Sequence, residues 1–221
     1  MNKKILKLPY DKNQQYTKPR EGIGKNWDGM SKLQFDFLVS QGMTPSSRLL
    51  DIGCGCLRLG SKAIPFLDKE RYFGIDINQS LINLGIKHEI SDDSLISKNP
   101  TFISSDFFEF EKFNVEFDFM FAHSVFTHLP MNLIQLCLIK AKKHMAKTGV
   151  FYFTIFDCPS LDTLCHVNDK KTKLNTYLLQ DPYHQHISFY EYLAKQLGFD
   201  IELLGDWGLV HNVQMIGFHN K

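Results

Sequence analysis

The chain has 221 residues, which at about 150 residues per domain means one domain with an appendage and hardly two. Hydrophobic residues make up 43% and charged residues 22%, a balance that excludes an intrinsically disordered chain. The 25 Lys and Arg residues against 24 Asp and Glu leave a net charge of +1, far below the basic excess of proteins that grip nucleic-acid phosphates.

Residues 1–28 stand apart. Within residues 1–26 seven cations from Lys3 to Lys25 face only Asp11 and Glu21, and apolar periodicity is nearly absent, so this stretch reads as an irregular arm or lid. A basic flap over an anionic substrate and a solvated tail are both open. Residues 29–221 then form one domain. From Met30, SKLQFDFLVSQG puts Leu33, Phe37 and Leu38 on one helical face and stops at Gly42. SRLLDIG is an apolar run reaching glycine, as a buried parallel strand does. A helix from about Leu57, the strand RYFGID, a helix begun at Asn78, and the strands TFIS and FDFMFA follow. Pro130 opens the next helix, where its missing N–H does no harm. Met131, Ile134, Leu138, Ala141 and Met145 mark that helix's buried stripe.

GVFYFTIF is a fifth strand. Residues 157–186, with Pro159, Asn168, a KKTK cluster and Pro182, break the rhythm and read as a substrate-side insert, because long loops in compact domains are usually functional. Ser188 to Glu191 has the form of a capping box for a helix ending at Gly198. DIELLGDW and VQMIGFHN supply two last strands. This alternation predicts an α/β fold: a Rossmann-like, mostly parallel seven-stranded sheet with helices on both faces and an antiparallel last strand. Ligands of such sheets lie beyond the carboxyl ends of the strands.

Those ends carry the chemistry. The first strand runs into Asp51-Ile52-Gly53-Cys54-Gly55-Cys56-Leu57-Arg58-Leu59-Gly60, and glycines at 53 and 55 let the backbone turn tightly beside a ligand. The second strand ends at Asp76, 23 positions after Gly53, where a carboxylate accepts both hydroxyls of a ribose. A dinucleotide fingerprint asks for a third glycine where Arg58 stands, and Asp51 repels phosphate while suiting an ammonium or sulfonium. A nucleoside with a cationic tail fits better than NAD.

These segments resemble the class I S-adenosylmethionine-dependent methyltransferases from about Leu49 to Leu204. LLDIGCGCLRLG is similar to the family's glycine-rich motif, YFGIDIN to its acidic loop, SSDFFEF to its adenine-contacting turn, and FDFMFAHSVFTHLP to its fourth-strand segment. GCGCLRLG, SVFTHLP and the late GDWG segment are similar, more narrowly, to small methyltransferases of glycan biosynthesis. The resemblance implies Asp51, Gly53, Cys54, Gly55 and Arg58 around the methionine moiety, Asp76 on the ribose and Ile77 against the adenine. It further implies Asp106 on the adenine amino group, with Phe107 nearby, and His123 beside the transferring methyl. S-adenosylhomocysteine would be the product.

Methyl transfer needs alignment above all, and a general base only when the acceptor is a hydroxyl or protonated amine. His123, His128, His184 and His186 are the candidates. The last two alternate in PYHQHIS, so an extended backbone would turn both imidazoles to one wall. Tyr16 and Trp27 in the arm, and Tyr183, are candidate substrate contacts. Cys158, Cys165 and His166 lack a fourth ligand at zinc spacing, so no metal is expected. The odd count of five cysteines favours a reducing, cytoplasmic compartment. No run reaches the roughly 18 apolar residues of a membrane span, and the opening apolar stretch fails at Pro9, unlike an export signal.

The expectation is therefore a methyltransferase acting on a small polar, anionic acceptor, with neither nucleic acid nor membrane as partner. Its acceptor would be a hydroxyl of a saccharide or sugar nucleotide. An N-methyltransferase acting on a small or phosphorylated amine is the alternative within that class. A nicotinamide-dependent oxidoreductase and a non-catalytic cofactor-binding partner are alternatives outside it.

Overall fold

A computed structural model describes residues 13–18, 20, 26–158, 160, 166–168, 174–207 and 213–221. Seven strands form one sheet in the order β3-β2-β1-β4-β5-β9-β8, where β1 is Leu49–Ile52, β2 Tyr72–Asp76, β3 Thr101–Ser104, β4 Phe117–Ala122, β5 Met145–Phe156, β8 Phe199–Asp206 and β9 Val213–Asn220. β1 pairs parallel with β2, and β2 with β3. β9 runs antiparallel to both β5 and β8, so the last strand is the antiparallel one. A separate two-stranded sheet joins β6 (His166–Asn168) to β7 (Asn175–Tyr177). The described chain falls into two compact units divided between Phe119 and Met120.

In the first unit β1 is buried along its whole length, Asp51 included, as a strand covered on both faces is. Phe73 meets Phe113 and Phe117 edge-on, with ring centroids 5.4 and 5.3 Å apart. Helix α1 (Trp27–Ser40) begins inside the expected arm, and it buries Trp27, Met30, Ser31, Gln34 and Leu38. That stripe follows the helical repeat from Trp27, and it leaves Leu33 exposed, contrary to the face expected from Leu33 and Phe37. Helix α2 (Gly60–Phe66) starts three residues later than expected, because Leu57 takes a left-handed φ of 63°. Helix α3 (Gln79–Glu89) has the expected start, with the Asn78 carboxamide accepting from the N–H groups of Ser80 and Leu81 at 2.9 and 3.2 Å. Helix α4 (Asp92–Lys98) is an addition, capped by Ser91.

In the second unit α5 (Met131–His144) buries Ile134, Cys137, Leu138 and Ala141, and Pro130 occupies its N-cap. Phe126, Phe151, Phe153, Phe218 and Tyr190 form a ring cluster over β5, with centroids such as Phe126–Phe153 4.8 Å apart. Helix α6 (Ile187–Leu197) ends at Gly198 in the left-handed conformation, as expected. Its start differs. The cap is His186, whose ring nitrogen accepts from the Ser188 N–H at 3.2 Å, and Ser188 already belongs to the helix. No helix among the described residues is long and apolar enough to cross a membrane.

Candidate active site

The glycine-rich loop and Asp76 belong to the first unit. Where β1 ends, Gly53, Gly55 and Leu57 all adopt positive φ, so the chain coils out of the sheet in a tight loop. The N–H groups of Gly53 and Cys54 bond to the Ile75 carbonyl at 2.7 and 3.1 Å, which ties this loop to the end of β2. Asp76 sits at that end. Its carboxylate accepts from the Gly55 N–H at 2.9 Å and from the Asn78 N–H at 2.8 Å. Burial raises its pKa, and the backbone donors pull it back down. The residue stays partly exposed, so a carboxylate with about four acceptor sites is fixed in place and still presented to a ligand. That donor set fits the paired hydroxyls of a ribose.

Asp51 is different. It is buried, its Oδ2 accepts from the Tyr72 hydroxyl at 2.6 Å, and burial pushes its pKa up to about 7. The thiols of Cys54 and Cys56 are raised by burial too, the second to about 11, so both fill a crowded loop as neutral groups. Next to Asp76, Ile77 accepts at its carbonyl from Ser104 Oγ at 3.1 Å, and the Ser105 N–H bonds to the Asp76 carbonyl at 2.9 Å. The ends of β2 and β3 are thereby joined. Asp106 is half-buried and Phe107 is 58% exposed. The turn that follows starts at Phe110, after Glu109 at its cap position.

Tyr16 and Trp27 do not form the substrate-facing lid expected of them. Trp27 is buried with Cys56 and Leu81, and Tyr16 packs against that cluster. The Arg20 and Arg58 guanidinium carbons lie 4.8 and 5.5 Å from the Trp27 ring centroid. The Gln14 carbonyl accepts from Asn78 Nδ2 at 2.9 Å, and the Tyr16 N–H donates to Ser80 Oγ at 3.1 Å. The described part of the arm is therefore a strap bound to the start of α3.

The second unit holds the histidines. His123 follows β4 with its Nδ1 3.1 Å from Ser124 Oγ, and its ring is flanked by Phe121 and Trp207 at centroid distances of 6.2 and 6.1 Å. His128 lies 2.6 Å through Nδ1 from Asp181 Oδ1. The expected shared wall of His184 and His186 does not exist. His184 has no exposed surface and its Nδ1 meets Thr176 Oγ1 at 2.8 Å, while His186 is spent on the α6 cap. Tyr183 is also buried, its N–H donating to the Thr127 carbonyl at 2.7 Å, so it reads as packing and not as a substrate contact. Cys158 is buried with its thiol 3.0 Å from the Ser160 carbonyl. Cys165 and the His166 side chain lie outside the described residues. Among the described residues no cluster of His, Cys, Asp and Glu could hold a metal.

Two residues escaped sequence reasoning. Asp181 precedes Pro182 and reads in sequence only as a turn. Gly85, inside α3, has no motif around it, yet a Cβ there would stand 2.6 Å from the Cys56 carbonyl carbon, so α3 rides directly on the glycine-rich loop.

A family model described as a methyltransferase domain matches residues 44–212. The chain belongs to the methyltransferase domain family. This bears out the expectation of an S-adenosylmethionine-dependent methyltransferase. Among solved structures, the chain is similar to magnesium protoporphyrin IX methyltransferase from Synechocystis PCC 6803 with bound SAM, at 13% identity and a TM-score of 0.62, covering 88% of this chain and 79% of that one. It is similar to a TehB-like SAM-dependent methyltransferase from Corynebacterium glutamicum, at 14% identity, TM-score 0.59, covering 86% of this chain and 88% of the other. It is also similar to an O-methyltransferase family protein from Burkholderia thailandensis, at 9% identity and a TM-score of 0.61, covering 87% of this methyltransferase and 56% of that chain. At such identities the likeness is one of fold.

Proposed function

We propose that this methyltransferase transfers the methyl group of S-adenosylmethionine to a hydroxyl of a small polar acceptor, a saccharide or sugar nucleotide. The observation that carries the donor half is Asp76, a partly exposed carboxylate clamped by the Gly55 and Asn78 amides at the carboxyl end of β2. Asp76 takes the ribose hydroxyls. Ile77, Asp106 and the exposed Phe107 serve the adenine, with Phe107 offering an aromatic face. Gly53 and Gly55 let the backbone approach the methionine portion, to which Asp51, Cys54 and Arg58 are adjacent in the loop. A cation near Asp51 favours its charged form over the neutral form that burial promotes. His123 has a place on the methyl side as the residue that follows β4.

When bound, S-adenosylmethionine supplies a sulfonium methyl, an electrophile whose C–S bond electrons stay on sulfur as the new C–O bond forms. The remaining work falls to the protein: hold the acceptor oxygen in line, exclude water, and remove one proton. A basic arm that carries Lys and Arg in excess favours an anionic acceptor such as a sugar nucleotide.

Calorimetric titration of wild type and Asp76→Ala with S-adenosylmethionine, S-adenosylhomocysteine and NAD tests the donor. We expect both adenosyl ligands to bind, NAD not to bind, and Asp76→Ala to lose roughly 100-fold in affinity, the worth of about two charge-assisted hydrogen bonds. Tight NAD binding would sink the donor assignment. Transfer of labelled methyl to a panel of sugars, sugar nucleotides and amines tests the acceptor, and labelling of amines alone would replace the hydroxyl reading with N-methylation.

A further inference from the structure

Four histidines compete for the proton of the acceptor, and their surroundings separate them. His184 is sealed in the interior against Thr176. His186 gives its Nδ1 to the start of α6. His123 has its Nδ1 against the Ser124 hydroxyl, a neutral partner that fits either tautomer. His128 stands directly against a carboxylate, 2.6 Å from Asp181 Oδ1, and the side chains of the pair keep 27% and 33% of their surface exposed.

The pair is held from both sides. His128 closes a short turn after β4, its N–H bonded to the Val125 carbonyl at 2.9 Å. Asp181 belongs to the 174–186 segment, which is stitched down around it. The Tyr177 N–H donates to the Pro182 carbonyl at 2.9 Å, Tyr183 to Thr127 at 2.7 Å, His184 to Tyr177 at 3.0 Å and Gln185 to Phe156 at 3.1 Å. The segment is thus tied to the carboxyl end of β5 and to the turn that carries His128. A partly exposed carboxylate–imidazole pair could serve only as a clip between these two pieces. Clipping alone, however, needs no imidazole, and the segment already has the backbone bonds to do it.

We infer that Asp181 is the positioning residue of the acceptor-side base, His128, an inference that rests on the hydroxyl-methylation reading. A carboxylate only accepts, so the proton of neutral His128 is on Nδ1 and the lone pair is on Nε2. Nε2 takes the proton of the acceptor O–H and leaves the electron pair on the oxygen that forms the C–O bond. The imidazolium, stabilised by Asp181, then returns its proton to water, so one proton is released per methyl transferred.

The test uses the full-length protein and Asp181→Asn, which keeps the size of the side chain but can donate to Nδ1 and so permits the opposite tautomer. Nitrogen-15 NMR of the histidine rings, with His128→Gln to assign the signal, reads the tautomer without any acceptor. The expected wild-type signal is that of an Nδ1–H imidazole, shifting toward Nε2–H in Asp181→Asn. S-adenosylhomocysteine affinity should stay within about twofold, which reports an intact fold. On a hydroxyl acceptor, kcat of Asp181→Asn should fall by about 100-fold or more with little change in the acceptor KM. A wild-type His128 protonated on Nε2, or an Asp181→Asn enzyme turning over hydroxyl acceptors at the wild-type rate, overturns the assignment. Methyl transfer to amines alone, with the Nδ1–H tautomer present, instead removes the hydroxyl reading and with it this assignment.

Discussion

Arg20 grips Glu89 with two parallel hydrogen bonds, Nε to Oε1 at 2.8 Å and Nη2 to Oε2 at 3.0 Å. The first residue lies in the arm and the second ends α3, so this fork joins the two beside the Trp27 stack. The Arg20 side chain is 44% exposed but that of Glu89 only 7%, so removing Arg20 leaves a largely buried carboxylate without its partner. Arg20→Ala should therefore cost about 1–3 kcal/mol in urea denaturation. It should also show locally. Amide exchange at Tyr16, whose N–H is bonded to Ser80, should accelerate at least tenfold, and unchanged protection there would mean that the strap holds without the fork.

Asp51 should leave a mark on stability against pH. Its folded carboxyl titrates near 7 because it is buried, whereas an unfolded Asp titrates near 3.9. Between those values the folded chain holds a proton that the unfolded chain lacks, so stability falls as pH rises from about 4 to about 7 and levels off above. The full effect is on the order of 4 kcal/mol. Asp51→Asn can still accept from Tyr72 and should flatten this slope when urea midpoints are compared at pH 5 and pH 8. An equal slope in the variant would assign it to other groups.

Gly85→Ala sets two effects against each other. In a helix interior alanine is favoured over glycine by about 1 kcal/mol. Here the added Cβ would meet backbone atoms of Cys56 at 2.6 and 2.7 Å, and overpacking against an unyielding wall costs about 1–3 kcal/mol. The clash should win. Thermal unfolding should move down by several degrees, and S-adenosylhomocysteine affinity should weaken because the displaced wall is the glycine-rich loop. A stabilised variant with unchanged affinity would show that the loop yields freely.

The cap of α6 separates two residues that lie two positions apart. His186→Ala should destabilise by about 1 kcal/mol, and His186→Asn should restore most of that, since a carboxamide oxygen can accept the Ser188 N–H. Ser188→Ala keeps the N–H donor and should be nearly neutral. The opposite ranking in denaturant midpoints would return the cap to Ser188.

What the sequence revealed is what local rules govern. The apolar run into Gly53, the carboxylate at Asp76 and the capping carboxamide at Asn78 are each set by their immediate neighbours, and their structures follow. Helix α4 was invisible because it buries no residue, so no apolar stripe marks it. The face of α1 was misjudged because polar Ser31 and Gln34 are buried beside Trp27, an effect of tertiary packing. Residue type points to Ser188 as the cap, whereas the structure uses a histidine, His186, two residues earlier. Asp181 meets His128 across 53 positions of chain, a pairing that no periodicity encodes.

The side chains proposed for the ribose, adenine and methionine portions of the donor lie at or before Phe107, and His123, His128 and Asp181 lie after Met120, where the second compact unit begins. One genetic crossover near residue 119 would therefore inherit all of the first set from one parent and all of the second from another. On the proposed assignments, such an exchange would pass on the adenosyl-binding residues unchanged while replacing the acceptor-side pair, and chimeras with related methyltransferases have a natural place to be joined.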